Sequence, residues 1–370
     1  MKGIIDSTLR EGEQTVGVSF SPERKLEIIK KLDAIGIEEI ELGIASRYDE
    51  TPKFLIKEAR TSGVSARLDL WCRCLNGDIE IAAAAKPDVL SLSIPVSDLH
   101  IDKKLGKSRA WVLERLAESI PYALGLGSPF VSLGLEDATR ADPEFMTKVI
   151  ELAGQSGAGR IRLADTVGIA GPNEIATLVK ELKRQVGIEI GVHMHNDFGM
   201  ATANSIAAID GGADWVDTTV LGLGERTGNA RLEEVASYLG LRRQCHYNVS
   251  EIPALSRMVA EAAGREIQPH QPIIGSNIFA CETGLHLQGL ERDPATYEPF
   301  SPEIVQAERI LMYGAKVGRR EIRNCLESID NKYSDSKYDW FIDRIRNKIS
   351  AIGLPMQRED LKVLVGGIGN

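Results

Sequence analysis

Two hydrophobic rhythms alternate along the chain. Short runs rich in aliphatic and β-branched residues fall at 3–6, 38–42, 67–72, 88–93, 130–135, 160–164, 189–193 and 215–220, with helix-like stretches between them. The stretch 21–35 shows the helical rhythm clearly: Ser21 suits an N-cap, Pro22 the first helical position, and Leu26, Ile29, Leu32 and Ile35 recur at helical spacing. About eight β-then-α units in succession predict an α/β fold, a parallel sheet closed into a (β/α)8 TIM barrel. A doubly wound open sheet is the alternative that the pattern leaves.

Polar residues gather at or just after the predicted strand ends: Asp6 with Arg10 and Glu11, Glu41, Arg73, Ser93 with Ser97, Glu136 with Asp137, Asp165 with Thr166, His193 with His195, and Thr218 with Thr219. In a barrel those ends form the C-terminal mouth, where active sites are built. From about residue 250 the rhythm changes. The segment 265–276, with Pro269, Pro272 and Gly275, reads as a linker, and the remainder of the chain reads as helices and loops without a clear sheet. The expected organisation is a barrel domain over 1–262 and a smaller helical C-terminal lobe over 263–370, which leans on the barrel or on another subunit.

Composition narrows the function classes. With 44 basic against 53 acidic residues the net charge is −9, which argues against a nucleic-acid partner and leaves room for a small anionic substrate held by local cations. The chain opens directly on an apolar strand with no charged leader, and no apolar run reaches membrane-spanning length, so no membrane partner is expected. The five cysteines are odd in number and scattered, which suggests the reducing cytoplasm. Cys72 and Cys74, one residue apart on a predicted strand and without a second pair, do not suit a structural zinc site.

The candidate chemistry centres on His193 and His195. Side chains alternate along a strand, so the two share a face and can grip one metal ion; an isolated His-x-His also fits a polar strand end. Glu11, running off the first strand, would add a carboxylate, and one carboxylate with two imidazoles suits a divalent ion that keeps open positions. Arg10 beside it can stabilise an oxyanion or hold a carboxylate; a surface ion pair with Glu11 is the other reading. Glu136 is either a proton-transfer partner or the partner of Arg140 or Arg162. Thr166 can bind a substrate carboxylate or cap the next helix. The loop 222–229 lacks dinucleotide spacing and a Walker lysine, so a tight turn presenting Asn229 is the better account. The basic stretch Lys103 to Arg109 reads as a contact for CoA phosphates, a lid or a solvated loop.

These segments together resemble the DRE-TIM metallolyase family, in its Claisen-condensing branch of homocitrate, isopropylmalate and citramalate synthases. The resemblance is carried by DSTLREGEQ at 6–14, HMHND at 193–197, GLGERTGNARLEE at 222–234 and TGLHLQGL at 283–290. Within the branch the chain is most similar to nitrogen-fixation homocitrate synthases, through WCR at 71–73, SIPVSD at 93–98, KLGKSRAWVLE at 104–114 and EDATRADP at 136–143. The resemblance implies a divalent metal (magnesium, manganese, zinc or cobalt) chelated by a 2-oxo acid, and acetyl-CoA as co-substrate, deprotonated to an enolate that attacks the keto carbon. It implies Glu11, His193 and His195 as metal ligands with Asn229 close by, and Arg10 at the oxyanion. Arg10, Gln14, Leu75 and Thr166 would make the acceptor site. Glu136 joins the acid–base network with His286 and Tyr297 from a neighbouring subunit, hence a homodimer with exchanged lobes. Without the resemblance, His286 reads as a core histidine.

Three departures bear on the acceptor. Leu75 stands where homocitrate enzymes usually carry a histidine for the distal carboxylate of 2-oxoglutarate. Ser132 stands where lysine-pathway enzymes carry an arginine, which nitrogen-fixation enzymes also lack. Lys316 replaces the histidine of the usual GKHSG segment. They leave the chemistry intact and open the acceptor to oxaloacetate, giving citrate, or 3-phosphonopyruvate, giving a phosphonomethylmalate as in phosphonate pathways. An isopropylmalate synthase fits less well, since the chain ends before the regulatory domain those enzymes usually append. An acyl-CoA lyase of the same superfamily would need a cysteine in the glycine loop, where Glu225, Arg226 and Thr227 stand. A non-catalytic metal-binding module would not need so many polar residues converging on one mouth.

Overall fold

The computed structural model describes residues 1–314, 318–329, 334–357, 359–361 and 363; Lys316 lies outside the described residues. The chain divides into two compact units, Met1–Glu266 and Ile267–Asn370. In the first, the eight apolar runs form parallel strands: β1 (Gly3–Asp6), β2 (Glu39–Ile44), β3 (Arg67–Arg73), β4 (Val89–Pro95), β5 (Val131–Glu136), β6 (Arg160–Asp165), β7 (Glu189–Met194) and β8 (Trp215–Thr218). They pair in sequence order, and β1 closes the barrel by pairing with both β2 and β8. The expected TIM barrel is therefore present. Strands β2 to β7 run one or two residues past their apolar patterns, through Ile44, Arg73, Pro95, Glu136, Asp165 and Met194. The predicted eighth strand is instead shortened: Val220–Gly222 turns as a 3-10 segment.

Helix formation follows from local chemistry. The helix Pro22–Ile35 starts where the Ser21 hydroxyl accepts the Arg24 backbone N–H at 3.3 Å. It ends where Gly36 turns left-handed at φ 96°, a conformation glycine adopts without steric strain. Its buried face carries Ile28, Ile29, Leu32 and Ile35.

Side chains alternate along the barrel strands. One set is aliphatic and faces the helices: Ile4, Ile40, Leu68, Leu70, Leu90, Leu92, Leu133, Leu135, Ile161, Leu163, Ile190, Val192 and Val216 are all buried. The other set faces inward, and it is largely polar where such barrels usually hold branched aliphatics. Arg160 spans the barrel to Glu39, with Nη1 donating to Oε2 at 3.2 Å, and its Nε donates to Ser132 Oγ at 3.0 Å. The Arg160 guanidinium also lies 5.0 Å from the Trp215 ring centroid. Ser132, where an arginine was considered, thus meets an arginine from the next strand. Asp69 accepts from Ser91 Oγ at 2.6 Å, and burial beside Glu39 and Glu41 pushes its carboxyl well above the usual range, so it stays protonated.

The second unit is largely helical, as expected, with one addition. It contains a small sheet in the order β11–β10–β9, from β9 (Ala280–Cys281), β10 (Ile310–Tyr313) and β11 (Met356–Gln357). Strands of two to four residues are too short to show an alternating pattern, which is why the sequence did not reveal them. Around it lie the helices Gly284–Arg292, Arg319–Ile329 and Asp335–Ile352, over a core that includes Leu287, Tyr313, Ile322, Leu326, Tyr338, Phe341 and Ile345. No helix among the described residues is long and apolar enough to cross a membrane.

Removing Arg160 leaves the buried Glu39 carboxylate with the half-buried Arg67, at 3.5 Å, as its remaining cation among the described residues. Arg160→Met is expected to lower stability by about 3–5 kcal/mol, read as a fall in the urea midpoint, and adding Glu39→Gln is expected to recover part of the loss. A double variant no more stable than Arg160→Met would contradict this account.

Candidate active site at the barrel mouth

The turn after β1 brings the first carboxylate inward. Asp6 Oδ1 accepts the Thr8 N–H at 3.0 Å, and the Ser7 carbonyl accepts from the backbone of Arg10, Glu11 and Gly12 at 3.1, 2.8 and 3.2 Å. Glu11 is thereby buried at the mouth. His193 comes from β7, and His195 follows in an antiparallel bridge with Asn229. The two imidazoles meet edge to face, centroids 5.1 Å apart. Glu11 Oε2 lies 3.8 Å from His193 Nε2, and Glu11 Oε1 lies 4.0 Å from His195 Nε2.

These three residues each offer a ligand atom within 4.8 Å of the others, and all are buried. His193 Nδ1 lies 2.8 Å from Asp217 Oδ2, which accepts the Nδ1–H hydrogen bond and leaves Nε2, 3.1 Å from Asn229 Nδ2, as the lone-pair nitrogen on the Glu11 side. Asn229 Oδ1 and His195 Nδ1 are buried without a hydrogen-bond partner. Burial, reinforced by His193, pushes the His195 imidazole down to about 3, so it is neutral, as a ligand must be. Burial works against ionisation of Glu11, yet Arg10 and the two histidines hold its carboxyl below the usual range. A converging set of one carboxylate and two imidazoles, beside an unsatisfied amide oxygen, fits a divalent cation with open positions. Glycines shape the loop that carries Asn229: a Cβ at Gly224 would strike the Asn229 amide, and one at Gly228, where φ is 85°, would strike the Gly222 carbonyl.

Behind this group runs a chain of alternating charge. Arg10 pairs with Glu11 through Nη1, and its Nε donates to Glu41 Oε2 at 2.6 Å. Arg162 Nη2 donates to Glu41 Oε1 at 2.9 Å, while its Nη1 lies 3.1 Å from Asp217 Oδ2. Asp217 is the residue that orients His193, so the chain returns to the metal-competent group. Burial opposes the charge on Glu41, but Arg10 and Arg162 hold its carboxyl far below the ordinary range.

The mouth cavity is lined by Arg10, Glu11, Gln14, Trp71, Ser93, Lys104, Gly134, Glu136, Arg162, Ala164, Thr166, His193, His195 and Glu225. Glu136 pairs with Lys104 and lies 3.2 Å from His100 Nδ1. Arg140 binds Asp137 instead, at 2.8 Å, and Arg162 binds Glu41 and Asp217, so neither arginine considered as the partner of Glu136 takes that place. The Thr166 hydroxyl accepts the Asp137 N–H at 2.8 Å, and the next helix is capped by Gly171. The Gln14 carboxamide faces Glu11, and with the amide turned nitrogen-inward it would donate to Glu11 Oε2 at 3.1 Å. Leu75 is exposed, precedes the helix Asn76–Ala84 and is not among the lining residues. His286 and Tyr297 belong to the second unit, where their rings lie 4.1 Å apart; both are exposed, so His286 is not a core histidine. Sequence reasoning singled out no role for Trp71 or Asp217, weighed Arg162 only as a partner of Glu136, and took Lys104 only as part of the basic stretch 103–109. The available signal was a charged residue at every second position of a buried strand, as in Arg160 and Arg162 or Glu39 and Glu41.

The fold and the mouth together define a parallel-barrel protein of enzyme type with a metal-competent site at its C-terminal face. Residues 2–259 match the HMGL-like family and residues 273–362 the homocitrate synthase post-HMGL domain-like family; the chain belongs to the HMGL-like family. It is 42% identical over 324 residues to a homocitrate synthase of Frankia alni, covering 87% of this chain and 92% of that one. It is 37% identical over 363 residues to 2-isopropylmalate synthase 2 of Caldanaerobacter subterraneus subsp. tengcongensis, covering 98% and 94%. Among solved structures, an HMG-CoA lyase from Acenitobacter baumannii superposes with a TM-score of 0.62 at 19% identity, over 72% of this chain and 92% of that one, a likeness of fold.

Two buried carboxyls brace the loops of the mouth. Asp6 caps Thr8, and Glu233 Oε2 accepts the Leu221 N–H at 3.0 Å; burial raises each to about 7. A carboxyl raised by folding contributes stability that is complete below its unfolded value of roughly 4 and is lost as pH rises through 7. Asparagine mimics the protonated acid, so wild type is expected to lose stability relative to Asp6→Asn between pH 4.5 and 7.5, by urea denaturation. A difference independent of pH would contradict the assignment.

Proposed function

We propose that this chain is an acyltransferase that condenses acetyl-CoA with a 2-oxo acid and releases CoA, with homocitrate formation as the nearest named activity. The observation that carries the reading is the buried Glu11–His193–His195 group with Arg10 beside it at the barrel mouth. The homocitrate and 2-isopropylmalate synthases to which the chain is similar support it. A divalent ion held by Glu11, His193 and His195, with Asn229 close by, would polarise the keto group of the acceptor as a Lewis acid.

The residues of the chain supply the rest. Arg10 is fixed by Glu41 and Glu11, and its guanidinium lines the cavity, where it can neutralise the charge that grows on the keto oxygen as the new carbon–carbon bond forms. Gln14 and Thr166, also in the lining, are placed to orient the acceptor carboxylate. Glu136 is poised between Lys104 and His100 to move a proton. Water then hydrolyses the thioester, freeing CoA and a carboxylic acid.

His286 and Tyr297 complete the acid–base set from a second subunit of a homodimer with exchanged lobes. Exposed apolar side chains in the loops after β1, β2, β4, β6 and β7, namely Val16, Tyr48, Leu99, Ile169 and Phe198, support a covered mouth. In this reading the acceptor carries a second acidic group, for which Lys104 would have to be shared with Glu136, its partner in the lining, while the exposed Leu75 supplies no donor; 2-oxoglutarate, oxaloacetate and 3-phosphonopyruvate all suit the reading. The lyase direction has no such support, since Glu225, Arg226 and Thr227 stand in the glycine loop where that reading requires a cysteine. The five cysteines, odd in number and scattered, support the cytoplasm as the setting.

The test is CoA release from acetyl-CoA with 2-oxoglutarate, oxaloacetate, 3-phosphonopyruvate, 2-oxoisovalerate and pyruvate, with and without a chelator. Chelator-sensitive release with one acidic acceptor is expected, and Glu11→Ala or His193→Ala is expected to abolish turnover and metal retention together. An active metal-free double variant, or no release with any acceptor by folded, metal-loaded protein, would remove the reading.

A further inference from the structure

Arg162 links the two halves of the mouth. Its guanidinium, 4% exposed, donates from Nη2 to Glu41 Oε1 at 2.9 Å and sets Nη1 3.1 Å from Asp217 Oδ2; those carboxylates are 0% and 1% exposed. Glu41 fixes Arg10, which pairs with Glu11, and Asp217 fixes His193 through Nδ1 at 2.8 Å. His193 Nε2 and Glu11 Oε2, 3.8 Å apart, then close the circuit across the position open to an ion. Among the described residues, Arg162 is thus the cation that joins the carboxylate behind Arg10 to the carboxylate behind His193.

We propose that Arg162 is a positioning residue: it holds the Arg10 guanidinium and the ligand nitrogen of His193 in register, so that ion affinity and condensation rate are set together by a residue that is not itself a ligand. The inference rests on the metal-dependent reading above. A planar guanidinium can hydrogen-bond one carboxylate while holding a second at ion-pair distance, as Nη1 does to Asp217 without a hydrogen bond; the point charge of a lysine ammonium on a flexible stem cannot keep both at fixed geometry. Partners one step removed from a metal ligand typically alter affinity or activity by about 10–100-fold when changed.

The test uses the full chain, stripped with chelator and titrated with Mn²⁺ by calorimetry, as wild type, Arg162→Lys, Asp217→Asn and the double variant. The expected result is a rise in the Mn²⁺ Kd of about 10–100-fold in each single variant. At saturating Mn²⁺, kcat is expected to stay low while the KM for acetyl-CoA is unchanged. The double variant is expected to be no worse than the more damaged single one, as for residues acting as a unit. A natively folded Arg162→Lys with the wild-type Mn²⁺ Kd, or a double variant whose losses simply add, would overturn the proposal. If Arg162→Lys does not fold, the near-isosteric Asp217→Asn carries the test, and an unchanged Mn²⁺ Kd there overturns it equally. Wild type that takes up none of Mn²⁺, Co²⁺ or Zn²⁺ would remove the metal reading itself, an outcome distinct from failure of the link.

Discussion

A charge inside a closed parallel barrel has no water to solvate it, so every buried carboxylate there requires a cation or a proton. This barrel carries Glu39, Glu41, Asp69 and Asp217 among its inward-facing side chains. Arg160 answers Glu39, Arg162 answers Glu41 and Asp217, and Asp69 keeps its proton. Aliphatic packing of the same volume would be at least as stable, since desolvation offsets most of the Coulomb gain in a buried pair. What the polar interior provides is a set of side chains whose positions are mutually determined. Each is locked by partners that are themselves buried.

The site inherits that rigidity. Arg10 sits at the end of the same alternating chain, held in one orientation by Glu41, which is outside the lining, and by Glu11, which lines the cavity with it. The ionisation states at the mouth follow from the same arrangement: Glu11 is held charged by its neighbours and His195 is held neutral by burial, the states that binding a cation demands. The glycine loop adds the last constraint, because only residues without a Cβ at 224 and 228 let Asn229 lie against His193, at 3.1 Å from Nε2.

Much of this was legible in the sequence. Eight apolar runs at regular spacing announced the barrel, and the motifs around Glu11 and His193 announced the mouth, because each is a local pattern read over a few residues. Pairings between distant strands were not. The Arg162–Glu41 and Arg160–Glu39 pairs join residues 121 positions apart, and nothing in either segment alone says which carboxylate meets which guanidinium. Lys104 lay in a basic stretch readable as a lid, a CoA contact or a solvated loop; the structure ties it to Glu136. The small sheet of the second unit escaped because its strands are too short to carry a period.

The central claim is that Glu11, His193 and His195 form one cation site whose geometry the barrel interior sets. Anomalous scattering from crystals of the full chain grown with Mn²⁺ tests it directly. The account predicts a strong anomalous peak within bonding distance of a Glu11 carboxylate oxygen and of both Nε2 atoms, with His193 Nδ1 still on Asp217. A peak elsewhere, or a mouth in which Glu11 pairs with Arg10 alone while the imidazoles turn away, would contradict it.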